Sequence, residues 1–396
     1  MVTVVDAMMG SGKTSWFVEH VNNNIDNNIM YIVPYLDVIK DIKERVTNRE
    51  IYSPENLGRG KLDNLHYLLT MQSDIASTHA LFLKLDNDCK EAIKQGHYTL
   101  YLDETLSAIE PFTLRHKDDI SYLLKNDSIY VNNEGFIEWK DEDLDTRFNE
   151  IRILAQNHSL FYVNNKLLMW RYPPDIFSLF DNVYVMTFMF DASILKYYFE
   201  LNGIDYTLKS VKKSEDGSYY LCDYYKPDLR TIRNKIHVYN NDDLNDSFPQ
   251  KITALSATWF KNPSNKDKIT KLKNNIYNYF SHKEKANNEK ILWTTFKDQR
   301  TKLKGKGYST GFLSFNCRSM NEYASRDHLC YCLNVYPHVG VVQFFEQRHL
   351  YVDQDKYALS EMVQWIWRSA IRNRNEIWIY VPSKRMRKLL TDWLKS

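Results

Sequence analysis

Two closely spaced glycines followed by a lysine and a threonine are the first residues whose types and spacing could do chemistry. Residues 7–14 read Ala-Met-Met-Gly-Ser-Gly-Lys-Thr, which is the P-loop pattern with Ala7 in place of the usual first glycine. Gly10, Ser11 and Gly12 allow a tight turn whose backbone N–H groups point at phosphate oxygens. The pattern predicts a nucleotide-binding loop, and the alternative is an ordinary Gly-Ser-Gly turn.

The charged and hydroxyl residues at the end of this loop and farther along the chain indicate that the loop binds ATP and Mg²⁺ for hydrolysis. Lys13 supplies a positive charge for the β- and γ-phosphates, and the Thr14 hydroxyl is a Mg²⁺ ligand. Well downstream, Asp103 and Glu104 directly follow an apolar stretch. We expect Asp103 to hold Mg²⁺ and Glu104 to orient and deprotonate the attacking water. Taken alone, the acidic pair also fits an exposed strand end.

A third set of polar residues lies near the end of the chain. Gln364, Arg368 and Arg372 are spaced four apart in segment 360–372, which has a helical pattern and would place them on one face. An arginine there could stabilise charge on the γ-phosphoryl group, and a glutamine could contact that group or the water. The structural alternative is a solvated polar face opposite two tryptophans.

Alternating strands and helices are needed to position these residues. The short apolar runs 2–5, 29–35 and 98–102 have the composition of buried strands, and segments 15–21 and 37–46 are helical in pattern. Strand–helix–strand alternation of this kind predicts an α/β fold with an open parallel sheet.

The remainder of the chain divides into less regular segments. We predict that residues 107–181 form a largely helical insertion, and that the polar stretch 209–250 is a linker or hairpin. A second α/β region begins near residue 251. Its predicted strands are 291–296, 308–315, 329–335 and 377–381, and its predicted helices are 360–372 and 384–394.

Composition bounds the function only loosely. The chain has 396 residues with 52 basic and 50 acidic side chains, a net charge of +2, so any nucleic-acid surface must be local. Its five cysteines are scattered without a zinc pattern, which favours reduced thiols. No apolar run approaches a membrane span, and the P-loop strand occupies the position of a signal peptide. We therefore expect a cytoplasmic protein, in the host cell if it is encoded by a phage.

Three groups of residues together resemble motifs of superfamily 2 helicases. Residues 7–14 resemble motif I, Asp103-Glu104-Thr105-Leu106 resembles motif II, and Gln364…Arg368…Arg372 resembles motif VI. The chain is most similar to a compact phage-type helicase, distantly similar to the viral origin-binding helicases. Looser resemblances are to motif Ia at 33–35, motif Ib at 77–81, motif IV at 293–296 and motif V at 316–321.

The resemblance implies two tandem RecA-like domains with parallel sheets, which we place at 1–235, including the insertion 107–181, and at 236–396. ATP would be hydrolysed between them, and closure on ATP would move single-stranded or forked DNA, or RNA, by one step. A monomer would suffice. The residues that the resemblance assigns to nucleic-acid contact are Pro34, Thr78, Thr295 and Arg318.

Some assignments within the resemblance stay open. The spacing of motif VI departs from the family pattern, so either Arg368 or Arg372 is the arginine that acts on the phosphate. Thr187, after a predicted strand, is the coupling threonine of motif III, although Ser256-Ala257-Thr258 spells the usual letters. The chain has no room before the P-loop for an adenine-reading glutamine motif. The basic loop 302–306 is either a phosphate-tracking segment or a solvated turn.

The favoured function is an ATP-dependent DNA helicase or translocase in phage replication, with replication proteins as possible partners. A second interpretation is a nucleic-acid-dependent ATPase that loads or remodels a protein partner without unwinding. The insertion 107–181 suits either one, as a strand-separating wedge or as a docking surface. A P-loop kinase would not need the second α/β region, and a non-catalytic nucleotide-gated module would not need Glu104.

Overall fold

A computed structural model describes residues 1–396 except 59, 105–107, 141–146, 246–250 and 317–321. Its helices are α1 (Lys13–Asn23), α2 (Leu36–Arg45), α3 (Lys61–Thr70), α4 (His79–Phe82), α5 (Asn87–Gln95), α6 (Asp119–Lys125), α7 (Asn149–Gln156), α8 (Ile194–Leu201), α9 (Arg230–Arg233), α10 (Asp242–Asn245), α11 (Ala257–Lys261), α12 (Lys266–Asn278), α13 (Arg300–Leu303), α14 (Val339–Glu346), α15 (Gln354–Ile366) and α16 (Lys384–Lys395). Its strands are β1 (Val2–Asp6), β2 (Asn28–Val33), β3 (Ile51–Tyr52), β4 (Asp74–Thr78), β5 (Tyr98–Asp103), β6 (Ile109–Pro111), β7 (Ile129–Val131), β8 (Ile137–Trp139), β9 (Leu160–Val163), β10 (Leu167–Arg171), β11 (Asn182–Thr187), β12 (Tyr206–Lys213), β13 (Tyr219–Asp223), β14 (Ile236–Val238), β15 (Ile291–Thr294), β16 (His328–Tyr331) and β17 (Ile377–Tyr380).

The chain forms two compact units. Unit 1 comprises Met1–Tyr225 and His338–Val352, and unit 2 comprises Lys226–Pro337 and Asp353–Ser396. The first segment of unit 1 ends just after the hairpin of β12 and β13. The chain therefore enters unit 2 ten residues before the boundary expected at 235/236. No helix among the described residues combines the length and the apolar character needed to cross a bilayer.

Unit 1 is built on a sheet in which the P-loop strand is central. Among the described residues its strand order is β13-β12-β1-β11-β5-β2-β4-β3, and every pairing except β12 with β13 is parallel. The apolar runs that form β1, β2 and β5 are almost wholly buried, as expected for a parallel sheet covered by helices on both faces. The predicted open parallel sheet is confirmed.

The insertion between β5 and β11 is not largely helical, and this prediction was wrong. It contains α6 and α7, but also an antiparallel sheet of order β6-β10-β9 and the hairpin of β7 and β8. The turn between β9 and β10 explains part of the difference. Asn164 and Asn165 have φ angles of 52° and 54°, a left-handed conformation that Asn tolerates and that closes hairpins.

Unit 2 has a smaller parallel sheet of order β14-β17-β16-β15. Trp293, Cys330 and Tyr380 from this sheet pack with residues of α12 in one core. The strand predicted at 308–315 does not form, and only a single bridge joins Phe312 to Trp293. A Cβ on Gly311 would lie 2.4 Å from the carbonyl oxygen of Ile291, so this segment approaches β15 as an irregular loop.

Residues 338–352 return to unit 1, although sequence reasoning assigned them to the second domain. Their helix α14 carries an apolar run, and Phe344 and Phe345 are fully buried in the main core of unit 1. The ring centroids of Phe344 and Phe161 are 4.8 Å apart. This segment therefore covers the antiparallel sheet of the insertion, and its burial stabilises unit 1.

We expect Phe344→Ala to destabilise unit 1 by about 3–5 kcal/mol, because the change leaves a cavity in a core that the rest of the chain cannot refill. The measurement is the free energy of urea-induced unfolding of the full chain. Tyr351→Ala is the matched control in the same segment, since Tyr351 is 72% exposed. Equal stability of the two variants would contradict the assignment of α14 to the core of unit 1.

Candidate active site

The P-loop connects the end of β1 to the start of α1 in unit 1. Gly10 and Gly12 have φ angles of 77° and 101°, in the left-handed region that only glycine enters readily. Within the turn, the backbone N–H of Ser11 donates to the carbonyl oxygen of Met8 over 3.2 Å. The two glycines are thus required by the backbone itself, as the sequence pattern predicts.

Lys13 folds back over the loop. Its Nζ donates to the carbonyl oxygens of Ala7, at 2.5 Å, and Met8, at 3.1 Å. Both acceptors are neutral, and hydrogen bonds from an ammonium to charged phosphate oxygens are roughly twice as strong. Phosphate oxygens could therefore replace these two carbonyl oxygens as acceptors.

The start of α1 fits a polyphosphate. Its N-cap residue is Gly12, so no side chain caps the helix, and the first-turn N–H groups of a helix have no intrahelical acceptors. The positive end of the helix dipole lies at the same place. In addition, the Ser11 hydroxyl is buried and has no hydrogen-bond partner among the described residues. An anion at this position would satisfy these donors.

Asp103 and Glu104 lie at the same edge of the sheet as the P-loop. Asp103 ends β5 and Glu104 follows it, and β11 separates β5 from β1, so the two strand ends are about 10 Å apart at the usual strand spacing. Glu104 has a φ of 68°, a sparsely populated conformation for a residue other than glycine. Its N–H donates to the carbonyl oxygen of Met186 on β11 over 2.9 Å, which fixes the turn.

A buried tyrosine orients the Asp103 carboxylate. The Tyr31 hydroxyl on β2 donates to Oδ2 of Asp103 over 2.9 Å, and the Tyr31 side chain is fully buried. Burial and the neighbouring Asp103 charge raise the pKa of Tyr31 well above 10. Tyr31 therefore keeps its proton near neutral pH and remains a donor to Asp103 there.

Asp6, which sequence reasoning did not single out, joins the P-loop strand to the loop after β11. Its carboxylate accepts hydrogen bonds from the N–H groups of Met189 and Phe190, both at 2.9 Å. The pKa of Asp6 is raised above its usual value because the carboxylate is buried. The Phe190 N–H, the Lys13 charge and the Met189 N–H offset only part of this increase. A carboxylate that ends an apolar strand directly before a P-loop was the available sequence signal.

Thr187, the residue predicted to couple the two sites, lies at the end of the strand next to the P-loop strand. It ends β11, pairs in register with Asp6, and its carbonyl oxygen accepts the N–H of Ala7 over 3.1 Å. The alternative, Ser256-Ala257-Thr258, lies in unit 2, where the Ser256 hydroxyl caps α11 by accepting the N–H of Trp259 over 3.3 Å. The role of Thr187 as the coupling residue stays a prediction.

The residues assigned to nucleic-acid contact have different surroundings. Pro34 follows β2 and Thr78 ends β4. Both residues are half-buried and lie at the same sheet edge as the P-loop. Thr295 is fully buried after β15, so a direct contact of its hydroxyl with a nucleic acid is not supported. Arg318 lies outside the described residues.

Gln364, Arg368 and Arg372 do not share one helical face, and this prediction was wrong. The helix α15 ends at Ile366, Arg368 is in the turn that follows, and Arg372 is in a short 3₁₀ helix. Ser369 adopts an extended conformation, and its hydroxyl donates to the carbonyl oxygen of Ile366 over 2.6 Å. Arg368 is only 5% exposed, and the Gln364 side-chain amide donates to the Ser360 hydroxyl over 3.0 Å.

Two stretches of unit 2 carry nine exposed basic side chains. We call this set of side chains the lysine face; it includes the exposed residues of the basic loop that sequence reasoning left open. The stretches comprise α11, α12, α13 and the loops beside them, and α12 and α13 pack against each other, with Asp267 and Asp298 the acidic residues within them. Its exposed cations are Lys261, Lys266, Lys268, Lys271, Lys297, Arg300, Lys302, Lys304 and Lys306.

Within the part of the chain that the structure describes, no group of three or more His, Cys, Asp or Glu side chains could hold a metal ion. Mg²⁺ in nucleotide sites keeps several waters and uses one or two protein ligands together with phosphate oxygens. Thr14 and Asp103 suit that mode of binding.

Comparisons with known proteins agree with this architecture. Two family models match the chain: the YonV C-terminal Rossmann-like domain over residues 230–394 and the YonV middle domain over residues 109–170. The second match falls on the insertion of unit 1. Among solved structures, S. tokodaii Xpd4 covers 99% of this chain and 94% of its own, with a TM-score of 0.51 and 11% identity. A chain named XPD_Helicase has the same coverage, with a TM-score of 0.47 and 10% identity.

At such low identity, the similarity to Xpd4 concerns the fold alone, which is that of two tandem RecA-like α/β domains. Similarity along the whole sequence is found with a protein of Bacillus subtilis (strain 168), the SPbeta prophage-derived uncharacterized protein YonV. The two chains are 41% identical over 414 residues, which cover 100% of this chain and 99% of that protein. The chain belongs to the YonV family.

Proposed function

We propose that the protein is an ATP-dependent, superfamily 2-type helicase or translocase that moves along single-stranded nucleic acid. The observation that carries the proposal is the shared sheet edge in unit 1. There the P-loop, with its two left-handed glycines and Lys13, lies at the end of β1. The Asp103–Glu104 pair lies at the end of β5, with only β11 between the two strands. This arrangement has the parts that phosphoryl transfer to water needs: an anion cradle, a cation, metal ligands and a base.

Each residue then has a defined task in the proposed reaction. The P-loop N–H groups and Lys13 would hold the β- and γ-phosphates, and Thr14 and Asp103 would hold Mg²⁺, which would supply positive charge to neutralise the phosphate oxygens. Glu104 accepts a proton from the attacking water. By resemblance to motif VI, Arg368 or Arg372, with Gln364, stabilises the charge on the γ-phosphoryl group.

Two features support nucleic acid as the second ligand. Pro34 and Thr78 share the sheet edge of the ATP site, so a strand bound there would be near the nucleotide. The lysine face of unit 2 provides nine cations suited to phosphate backbones. The SPbeta prophage origin that is part of the name of the Bacillus subtilis relative supports a phage origin, and we propose phage replication as the process that the protein serves.

A prediction concerns the tyrosine behind the metal ligand. Tyr31→Phe removes the hydrogen bond to Asp103 but keeps the ring that stacks on Phe17 at 4.2 Å. Loss of a partner that orients a metal ligand typically costs 10–100-fold in metal affinity or activity. We expect the Mg²⁺ concentration for half-maximal ATP hydrolysis to rise about tenfold. An unchanged Mg²⁺ dependence, measured with the fold intact, would remove Tyr31 from the site.

Strand separation tests the proposal against the second interpretation. The assay follows the opening of a forked DNA duplex and a forked RNA duplex with ATP, without ATP, and with the Lys13→Ala variant. ATP-dependent opening that the variant loses supports a helicase. ATP hydrolysis stimulated by single strands, without opening of either fork, would instead favour an ATPase that remodels or loads a protein partner.

A further inference from the structure

A hairpin rich in tyrosine lies next to the P-loop in unit 1. Its strand β12 pairs in parallel with β1, and β13 runs back antiparallel to β12, with Lys213 opposite Tyr219. The turn between these strands therefore lies at the carboxyl edge of the sheet, where the P-loop is. The Ser210 hydroxyl donates to the carbonyl oxygen of Asp6 over 2.8 Å and ties the hairpin to the P-loop strand.

One ring of this hairpin covers a P-loop glycine. A Cβ built on Gly12 would lie 2.0 Å from Cε1 of Tyr219, so the Tyr219 ring rests on the glycine backbone. The N–H of Tyr219 donates to the Glu19 carboxylate of α1 over 2.6 Å, which holds the strand against the helix. The ammonium of Lys213 lies 5.7 Å from the centre of the same ring.

The strand order indicates on which side of the P-loop the nucleoside of the proposed ATP would lie. If Asp103 holds Mg²⁺, the γ-phosphate would lie on the side of β1 where β11 and β5 lie. A nucleotide with its phosphates on the P-loop would then extend its ribose and base toward the other side of β1. That side carries β12 and β13, with Tyr219 at the start of α1.

We propose that Tyr219 is the platform on which the nucleotide base stacks, on the side of the ring that the Lys213 ammonium covers, and that the exposed Lys213 side chain turns from the ring to the ribose and α-phosphate. The inference rests on the proposed function and adds the part of the site that binds the nucleoside. An aromatic ring offers its face to any base, and purines present the larger surface. Tyr219 therefore favours purine over pyrimidine nucleotides without distinguishing ATP from GTP by hydrogen bonds.

A comparison of two ligands, one with a base and one without, separates the contribution of base stacking to affinity from that of phosphate binding by the P-loop. The affinities of the full chain for MgATP and for Mg-tripolyphosphate are measured by calorimetry. Tyr219→Leu keeps apolar packing on Gly12 but removes the aromatic face. We expect it to weaken ATP binding about tenfold to a hundredfold and to leave tripolyphosphate binding unchanged. Tyr219→Phe should bind both ligands as the wild type does, and Tyr220→Ala, on the opposite face of β13, is the matched control.

The outcomes separate the two proposals. Equal weakening of ATP and tripolyphosphate by Tyr219→Leu would show that the ring only supports the P-loop, and would overturn the base platform. The base platform would also be overturned if Tyr219→Leu and Tyr219→Ala both bound ATP and tripolyphosphate with the affinities of the wild type. A wild-type chain that binds neither ligand would contradict the nucleotide site itself, and with it the proposed function.

Discussion

Lys13→Ala is expected to lower the rate of ATP hydrolysis by about a hundredfold to a thousandfold, the usual loss when one preorganised charge on a transferring group is removed. The loop should stay in place, because its shape depends on the left-handed glycines and on the Ser11–Met8 hydrogen bond. Phosphate release at saturating MgATP gives the rate, and circular dichroism checks that the variant is folded.

Lys40→Ala is the control for a general effect of charge. Lys40 is an exposed lysine on α2 of the same unit, so its removal changes the net charge equally without touching the P-loop. The control should hydrolyse ATP as the wild type does. If Lys13→Ala also retained full activity, the P-loop would not be the site of hydrolysis.

Glu104→Gln is expected to slow hydrolysis by about 10²–10⁴-fold, because the amide cannot accept the proton of the attacking water. MgATP binding should persist, since the carboxylate contributes to the chemical step rather than to the phosphate cradle. The near-identical shape of glutamine leaves the turn held by the Glu104–Met186 backbone hydrogen bond. The two measurements are the single-turnover rate and the affinity for MgATP.

Glu44→Gln, on the exposed side of α2, is the matched control for this second variant. It should leave rate and affinity unchanged. Parallel loss of ATP binding and of hydrolysis in Glu104→Gln would mean that Glu104 maintains the site rather than acting as the base.

The parts of the fold that the sequence predicted are those encoded by local patterns. The strand before the P-loop, the strand before Asp103-Glu104 and the parallel sheet follow from short buried runs alternating with helices. In the same way, Gly10 and Gly12 could be anticipated because few other residues accept their φ angles. The candidate nucleotide loop is therefore readable before any tertiary contact is known.

The remaining features depend on contacts between distant parts of the chain. Asp6 gains its role from N–H groups at Met189 and Phe190. The helix α15 stops at Ile366 because Ser369 turns away and Ala370 bonds to the carbonyl oxygen of Arg326. Residues 338–352 look like part of the second domain in sequence, yet they bury Phe344 in unit 1. Periodicity carries no information about such long-range partners.

The central claim is that ATP hydrolysis serves movement on nucleic acid. Its most direct test is the rate of ATP hydrolysis with and without single-stranded DNA or RNA, at low and at moderate salt. We expect single strands to stimulate hydrolysis strongly, and we expect this stimulation to weaken as salt rises. Binding of phosphates by cations such as those of the lysine face releases counterions from the nucleic acid, and this release favours binding less at higher salt. Hydrolysis that is indifferent to both DNA and RNA would contradict the helicase proposal and would point to an ATPase driven by a protein partner.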